Sequence, residues 1–332
     1  MIPVLPHAVN HIAAADGRLA PRGAANGETL VIAHLSDPHL SALSGVRLRD
    51  LLGKRVLGYL SWLQRRRWEH RREILEMLLA DLHAQAPDHV VITGDLTHIG
   101  LPSEFAEASA WLECVGAPED VTVVPGNHDA YVGAPWSRTF AQWADYMASD
   151  SAFARDPWFP TLRVRGAAGI IGLSSACPSG PFLATGSVGE EQQRRLAGML
   201  QESERGGLFR VVLLHHPPVA GVVGHRKRLT DASGVRDVLH RHGAELVLHG
   251  HAHRTSFAEL PSRVGAVPVI GARSASALSG KPGRMAQYHL YRISRRPTGW
   301  KVSVRVREYV GANDGFVERG RREMDLRRGE RA

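Results

Sequence analysis

The sequence of 332 residues contains only two cysteines, Cys114 and Cys177, which lie far apart. This excludes a disulfide-rich framework and leads us to expect a reducing, cytoplasmic environment. The sequence also lacks any apolar run of about 18 residues, so we predict no transmembrane helix. Residues 1–28 lack a basic segment followed by an apolar one. We therefore expect a flexible N-terminal tail there instead of a secretory signal.

Acidic residues are outnumbered by basic ones, 33 against 41, giving a formal net charge of +8. Such an excess predicts an anionic partner, which could be nucleic acid, an acidic membrane surface or a phosphorylated substrate. Composition alone does not choose among these partners. No nucleic-acid-binding arm or stacking platform is visible in the sequence, so nucleic acid is the less favoured of the three.

Residues of the types that bind metals follow five predicted strands. The strands are predicted over 30–35, 89–93, 121–124, 209–214 and 245–248. The candidate ligands after them are Asp37, His39, Asp95, Asn127, His128, His215, His251 and His253. Each one alone could be a turn or loop residue. Ligands of open α/β sheets bind outside the carboxyl ends of the strands, so we expect these side chains to meet in one cleft.

This set of nitrogen and oxygen ligands is too large for one tetrahedral zinc, which needs four. It fits two divalent ions, with Mn, Fe and Zn all compatible with the donor types. A carboxylate shared between two ions is the usual way to hold a bridging hydroxide for in-line attack on phosphorus. The chemistry predicted from the residues is therefore metal-assisted hydrolysis of a phosphate ester.

Five short motifs together resemble the calcineurin-like metallophosphoesterase superfamily. They are Asp-Pro-His at 37–39, Gly-Asp at 94–95, Gly-Asn-His-Asp at 126–129, His-His-Pro at 215–217 and Gly-His-Ala-His at 250–253. The resemblance implies an α/β fold, a four-layer α/β/β/α sandwich with mixed sheets, and a dinuclear metal centre. It places the domain at residues 29–310 and leaves 311–332 as a charged C-terminal tail.

The resemblance also implies a role for each motif residue. Asp37, His39 and His253 would hold one metal; Asn127, His215 and His251 would hold the other, with Asp95 between them. His128 would lie beside the phosphate, where it stabilises the transition state or protonates the leaving oxygen, and Asp129 would orient His128. His216 would support the ligands without being one.

A basic, amphipathic insertion at 45–72 stands apart from these motifs. Its apolar residues recur at helical spacing, and they are Leu52, Val56, Tyr59, Leu60 and Leu63. Its basic residues are Lys54, Arg55, Arg65, Arg66, Arg67, Arg71 and Arg72. The pattern is typical of a helix on an anionic membrane surface. It equally suits a cap that binds an acyl chain and a phosphate, or a helix packed on the domain with a solvated basic face.

The activity predicted from the sequence is hydrolysis of a phosphodiester or pyrophosphate bond in an anionic, lipid- or nucleotide-linked substrate. We expect substrate contacts from His98, Arg226, Lys227 and Arg228, and peripheral membrane contact through 54–72. Alternatives are a nuclease, a cyclic-nucleotide phosphodiesterase, a monoesterase and a non-enzymatic scaffold with the same fold. Elsewhere, we expect 288–293 and 301–308 to pair at a sheet edge, and Glu104 to be a solvated charge.

Overall fold

Two six-stranded sheets form the centre of the molecule. The computed structural model describes residues 29–40, 42–43, 45–153, 158–279 and 283–327, so the expected N-terminal tail lies outside the described residues. The strands are β1 (Thr29–Leu35), β2 (His89–Ile92), β3 (Val121–Val123), β4 (Thr161–Arg165), β5 (Ala168–Gly172), β6 (Phe209–Leu213), β7 (Leu246–His249), β8 (Ser256–Ser262), β9 (Gly265–Gly271), β10 (Gln287–Arg296), β11 (Gly299–Gly311) and β12 (Gly315–Arg327).

Both sheets are mixed. The first has the order β12-β11-β10-β1-β2-β3, and the second has the order β4-β5-β6-β7-β9-β8. In the first sheet β1, β2 and β3 are parallel. In the second, β5, β6, β7 and β9 are parallel. The carboxyl ends of the parallel strands in each sheet therefore lie along one edge of that sheet.

The helices of the described residues cover the outer faces of the two sheets, apart from the first two, which belong to the insertion. They are α1 (Lys54–Ser61), α2 (Arg67–Glu69), α3 (Arg72–Gln85), α4 (Pro102–Val115), α5 (Ala144–Met147), α6 (Glu190–Arg205) and α7 (Ala232–His242). A π-helical turn, Trp62–Arg66, joins α1 to α2. Short 3-10 helices span Leu48–Asp50, Trp136–Arg138, Phe140–Trp143, Ser151–Phe153 and His225–Lys227. Among the described residues no helix is long and apolar enough to cross a membrane.

The alternation of side chains along each strand builds three apolar layers. Ile32 points into the layer between the sheets, where it packs with Phe209 and Leu248. Its neighbour Ala33 points outward to the layer beneath α3 and α4. A third layer fills the space between the second sheet and α6 and α7. The predicted four-layer α/β/β/α sandwich is confirmed.

The C-terminal part of the chain differs from the prediction. Residues 315–327, expected to be a charged tail, form the edge strand β12, which pairs with β11. Phe316 is buried, and Met324 packs against the layer between the sheets. The alternation of side chains along this strand is hard to see in the sequence because charged residues dominate it. In the fold these residues form cross-strand pairs such as Arg305 with Glu318 at 3.7 Å. The predicted hairpin of β10 and β11 exists, but it lies inside the sheet because β12 provides the edge.

The insertion packs on the domain through one face only. Trp62 is buried with Ile99 and Tyr131, and α1 approaches so closely that a Cβ on Gly58 would lie 2.5 Å from Ile99 Cγ2. The opposite face is open to solvent, and its exposed apolar residues are Leu48, Leu52, Val56, Leu57, Leu60 and Trp68. The insertion is therefore a packed cap that also presents a row of apolar side chains left exposed by the described part of the chain.

Candidate metal centre

The predicted ligands gather where the parallel strands of both sheets end, and their backbone is unusual there. Eight non-glycine residues of the described chain have positive φ, and five of them are Asp37, His39, Asp95, His251 and His253. The left-handed region costs a non-glycine residue of the order of 1–3 kcal/mol and is concentrated at functional sites. The strain indicates that the fold holds these side chains in place for a purpose other than stability.

Asp37, His39 and His253 form the first ligand group, with donor atoms within 4.8 Å of one another. His39 Nδ1 donates to the carbonyl of Thr97 at 3.0 Å, which leaves Nε2 to face the centre. Asp37 Oδ2 accepts hydrogen bonds from the Ser36 hydroxyl and the His251 amide. Although burial raises it, the charge and hydrogen bond of His253 hold the pKa of Asp37 well below its usual range.

Asp95, His215 and His251 form the second group, again within 4.8 Å of one another. His215 Nε2 lies 3.2 Å from both Asp95 Oδ2 and Asn127 Oδ1. His215 Nδ1 donates to the Thr93 carbonyl, which fixes the ring. Burial lowers the pKa of His215, but Asp95 more than offsets this and raises the pKa to about 9. The position therefore favours positive charge, as a cation site must.

The residues fit a pair of divalent cations. Asp37 Oδ1 is buried and lies 3.0 Å from His253 Nε2, the donor nitrogen of the same ligand group, so both atoms are directed at the position that a cation would take. The remaining donors are imidazole nitrogens and carboxylate or amide oxygens, which suit Mn, Fe or Zn. Two groups of this kind, side by side, match the dinuclear centre expected from the sequence.

The structure changes the expected role of Asp129. Its carboxylate accepts from the amides of Asp95, Gly126 and Thr97, and no described hydrogen bond joins it to the His128 side chain. His128 Nδ1 instead donates to the carbonyl of His98 at 2.5 Å. Asp129 therefore braces the backbone around Asp95, because a buried carboxylate must satisfy its lone pairs with nearby donors, and the backbone orients His128.

His216 and His98 lie directly behind ligands. His216 is fully buried, its Nδ1 lies 2.8 Å from Ser175 Oγ, and its ring is 4.4 Å from that of His251. His98, expected to touch substrate, is 1% exposed and stacks on His39 with ring centroids 5.0 Å apart. Both side chains pack against the rings of proposed metal ligands, His216 against His251 and His98 against His39.

The loop expected to bind substrate reaches the centre through its backbone. The carbonyl of Lys227 lies 2.9 Å from His251 Nε2, so Nδ1 of His251 is the nitrogen that can face the metal. Arg226 is exposed, and Arg228 donates to the carbonyl of His225. Arg228 and Pro217 both line a pocket of about 310 Å³. Substrate binding by these residues stays a prediction.

Sequence reasoning assigned no role at the centre to three residues that the insertion brings there. The His70 ring lies 4.4 Å from that of His39, and Nδ1 of His70 is 2.8 Å from Ser276 Oγ. Glu69, His70 and His253 form a third group with donor atoms within 4.8 Å. Arg66 places Nη1 3.0 Å from His128 Nδ1. No strand-end signal marks these residues, because they belong to a helical segment folded over the cleft.

Glu104 is also misjudged from the sequence. It is 2% exposed, not solvated, and its carboxylate accepts from the amides of His98, Ile99 and Leu101 at 2.6–3.2 Å. Burial raises its pKa. Glu104 thereby fixes the loop whose carbonyl at His98 orients His128. The signal that could have revealed this role is Pro102, a residue typical of the first position of a helix, followed by a glutamate at the third position.

Fold and site together define a metal-dependent phosphoric ester hydrolase of the dinuclear type. The model of the calcineurin-like phosphoesterase family matches residues 30–255. The chain belongs to this family. Its matched region contains all five ligand-bearing strand ends described above.

Two curated relatives share the region. A protein of Rhodococcus erythropolis named "Probable cyclic nucleotide phosphodiesterase" is 29% identical over 240 residues, covering 70% of this chain and 69% of that protein. A Synechococcus protein of the same description is 26% identical, covering 68% of this chain and 74% of its own length. Among solved structures, a dimetal phosphatase from Danio rerio aligns with a TM-score of 0.57 at 13% identity, covering 90% of this chain and 99% of that chain. This last likeness concerns the fold.

Proposed function

We propose that the chain hydrolyses a phosphodiester or pyrophosphate bond with two divalent ions. Asp37, His39 and His253 hold one ion; Asn127, His215 and His251 hold the other, and Asp95 bridges them. The observation that carries this proposal is the pair of adjacent ligand groups, each with its donor atoms within 4.8 Å. Bound divalent ions supply an activated water nucleophile and neutralise charge that develops on the phosphoryl group.

The protein's own contribution is to fix the geometry of the reacting groups. His128 Nδ1 is committed to the His98 carbonyl, so Nε2 is the nitrogen available to a phosphate oxygen or a leaving oxygen. The His128 amide donates to Asp95 Oδ1 at 2.7 Å, which links this histidine to the bridging carboxylate. Asp129 fixes the backbone around Asp95 by accepting hydrogen bonds from the amides of Asp95, Gly126 and Thr97. These hydrogen bonds fix the position of the His128 ring relative to the Asp95 carboxylate.

The substrate class follows from two observations. The named activity of both curated relatives favours a nucleotide-linked diester. The exposed apolar row of the cap, with Leu52 75% and Leu60 46% exposed, favours a lipid-linked substrate or contact with a membrane surface. Both substrates carry the negative charge that the basic protein attracts. We place the lipid-linked pyrophosphate or diester first because the row lies on the segment that closes over the metal centre.

The central test is hydrolysis by the metal-loaded protein of a panel that includes a chromogenic diester and monoester, cyclic nucleotides, an acylated nucleotide sugar, a glycerophosphodiester and DNA. Asp95→Ala and Asn127→Ala should abolish hydrolysis and leave the circular dichroism spectrum unchanged. Near-normal rates in these variants would refute the dinuclear mechanism. Cleavage of DNA alone would support the nuclease alternative, and an inert, metal-free protein would support a scaffold.

Membrane contact is tested separately. The wild-type protein should float with vesicles of anionic phospholipid, and Leu52→Ser with Leu60→Ser should reduce the bound fraction. A matched pair on α1, Val56→Ala and Leu57→Ala, retains more apolar area and should bind nearly as well. If the wild-type protein does not float, the cap apolar row serves the substrate or the domain only.

A further inference from the structure

The cap carries a cation into the metal centre. Arg66 stands in the π-helical turn Trp62–Arg66, and its Nη1 lies 3.0 Å from His128 Nδ1. It is less exposed than Arg65 and Arg67, its neighbours in sequence. A π-helical turn shifts the register of the side chains that follow it, and such turns are frequent at functional sites.

The contact between Arg66 and His128 does not satisfy the guanidinium. His128 Nδ1 already donates its proton to the His98 carbonyl at 2.5 Å, so it cannot at the same time accept one from Arg66. Within the described part of the chain, no carboxylate lies within ion-pair distance of Arg66. Arg65, by contrast, is paired with Glu69 at 3.4 Å. Arg66 is thus a partly buried cation whose guanidinium N–H groups are available to an acceptor from outside the described residues.

Lys227 lies between β6 and α7, and its backbone carbonyl contacts the ring of the proposed ligand His251 at 2.9 Å, while its side chain is exposed. The cation that the geometry places beside His128 is therefore Arg66 of the insertion. A guanidinium without a carboxylate partner beside a metal centre attracts an anion.

We propose that Arg66 binds the non-bridging oxygens of the substrate's phosphate above the metal centre. The proposal rests on the proposed function, since it names the groups that hold the ester being hydrolysed. The planar guanidinium offers two parallel donors to a phosphate, which a lysine cannot do. The insertion is therefore part of the active site as well as a cover over it.

The packing of the cap supports this assignment. Trp62, four residues before Arg66, is 8% exposed in the apolar cluster around Ile99 and Tyr131. Lys54 Nζ lies 4.4 Å above the Tyr131 ring, and Arg55 donates to the carbonyls of Ile99 and Gly100. These contacts anchor the cap up to the start of the π-helical turn, and the contact of His70 Nδ1 with Ser276 Oγ anchors it after the turn. Arg66 is consequently presented by a rigid element, as a substrate-binding residue needs to be.

The test compares Arg66→Met with Arg67→Met, which removes the same charge one residue away, where the side chain is exposed and stacks on Trp68. Binding of inorganic phosphate to the manganese-loaded proteins is measured by calorimetry. We expect Arg66→Met to raise the dissociation constant about ten- to hundredfold, and Arg67→Met to leave it unchanged. Arg66→Lys should bind with intermediate affinity, because it retains charge but loses the planar fork.

Two further measurements complete the experiment: the kinetics of hydrolysis of a soluble chromogenic diester, and the manganese content of each protein. The metal content of Arg66→Met should equal that of the wild type while kcat/KM falls. Equal phosphate affinity of Arg66→Met and the wild type would overturn the proposal, as would an equal loss in Arg67→Met or the loss of metal from both Arg66 variants. Failure of the proposed function would look different, because the wild type would then bind phosphate and metal but turn over no ester.

Discussion

His253 Nε2 lies 3.0 Å from Asp37 Oδ1 and brings the last predicted ligand against the first. The two side chains come from strand ends in different sheets, β7 and β1, so their contact joins the sheets at the cleft. Asp37 itself is fully buried, whereas the His253 side chain is 26% exposed. A cation that enters from solvent meets His253 before it reaches Asp37.

We predict that His253→Ala loses one of the two bound metals. The manganese content should fall from about two ions per chain to about one, because one group of ligands loses a side chain and the second stays complete. Metal analysis by mass spectrometry of dialysed protein provides the measurement. His240→Ala, a substitution at an exposed histidine of α7, is the control and should keep both ions. An unchanged content in His253→Ala would contradict the ligand assignment.

We predict that Gly58→Ala displaces the cap. A Cβ at this position would lie 2.5 Å from Ile99 Cγ2 and 2.7 Å from Tyr131 Oη, and such overpacking costs about 1–3 kcal/mol. The free energy of unfolding should decrease, and kcat/KM should fall because Arg66 moves with the cap. Urea unfolding and diester kinetics measure the two effects.

Gly198→Ala is the matched control for that prediction. Gly198 lies in α6, where an added Cβ would meet nothing within 4 Å. Alanine should therefore stabilise the protein by about 0.5–1 kcal/mol, since glycine loses more backbone freedom in a helix. If both glycine variants behaved alike, the close approach at Gly58 would not be a constraint on the cap.

We predict a large loss of stability in Glu245→Ala. Its carboxylate makes an ion pair with the buried Arg210, with Nε to Oε2 at 2.9 Å, and also accepts from the Arg210 amide. Removing one partner of a buried pair leaves an uncompensated charge and costs about 3 kcal/mol or more. Urea unfolding of Glu191→Ala, which breaks an exposed pair with Arg194 on α6, should show no resolvable change. Equal effects would mean that burial of the Arg210 pair is unimportant.

We predict that buried His289 makes the protein less stable in acid. Burial lowers the pKa of this histidine from 6.5 to about 3, so the folded state binds fewer protons than the unfolded state. This contribution is fully present above pH about 6.5 and declines as the pH falls towards about 3, and between pH 7.5 and pH 5 it removes about 2 kcal/mol. Urea unfolding at the two pH values should show a shallower loss in His289→Gln. An identical pH dependence would contradict the assignment.

The strand-end ligands could be predicted because they depend on local sequence. Each apolar run that ends in Asp, Asn or His marks a buried strand and the loop after it, and parallel strands bring such loops to one edge. The groups around Asp37 and Asp95 follow from that rule together with the family resemblance. The four-layer sandwich was predicted from the family resemblance, and the alternation of buried strands with amphipathic helices along most of the chain is compatible with it.

The outer parts of the fold were harder to predict. The strand over 315–327 has so many charges that its alternation is masked, and only pairing with β11 shows which side chains are covered. Glu104 looks solvated in the sequence because its three amide donors belong to a loop whose path depends on tertiary contacts. Such hydrogen-bond partners depend on the tertiary structure and are not visible in the local sequence.

The sequence by itself determined the family of this protein and predicted its metal ligands, because the metal-binding side chains at the ends of buried strands form the motifs that carry the family resemblance. Only the tertiary structure decided what surrounds them. In the structure a backbone carbonyl, not Asp129, orients the His128 ring. The packing of the insertion also directs Arg66 towards the centre and its neighbour Arg67 towards solvent. Those outcomes depend on how a helical cap packs over a distant loop, and no local pattern contains that information.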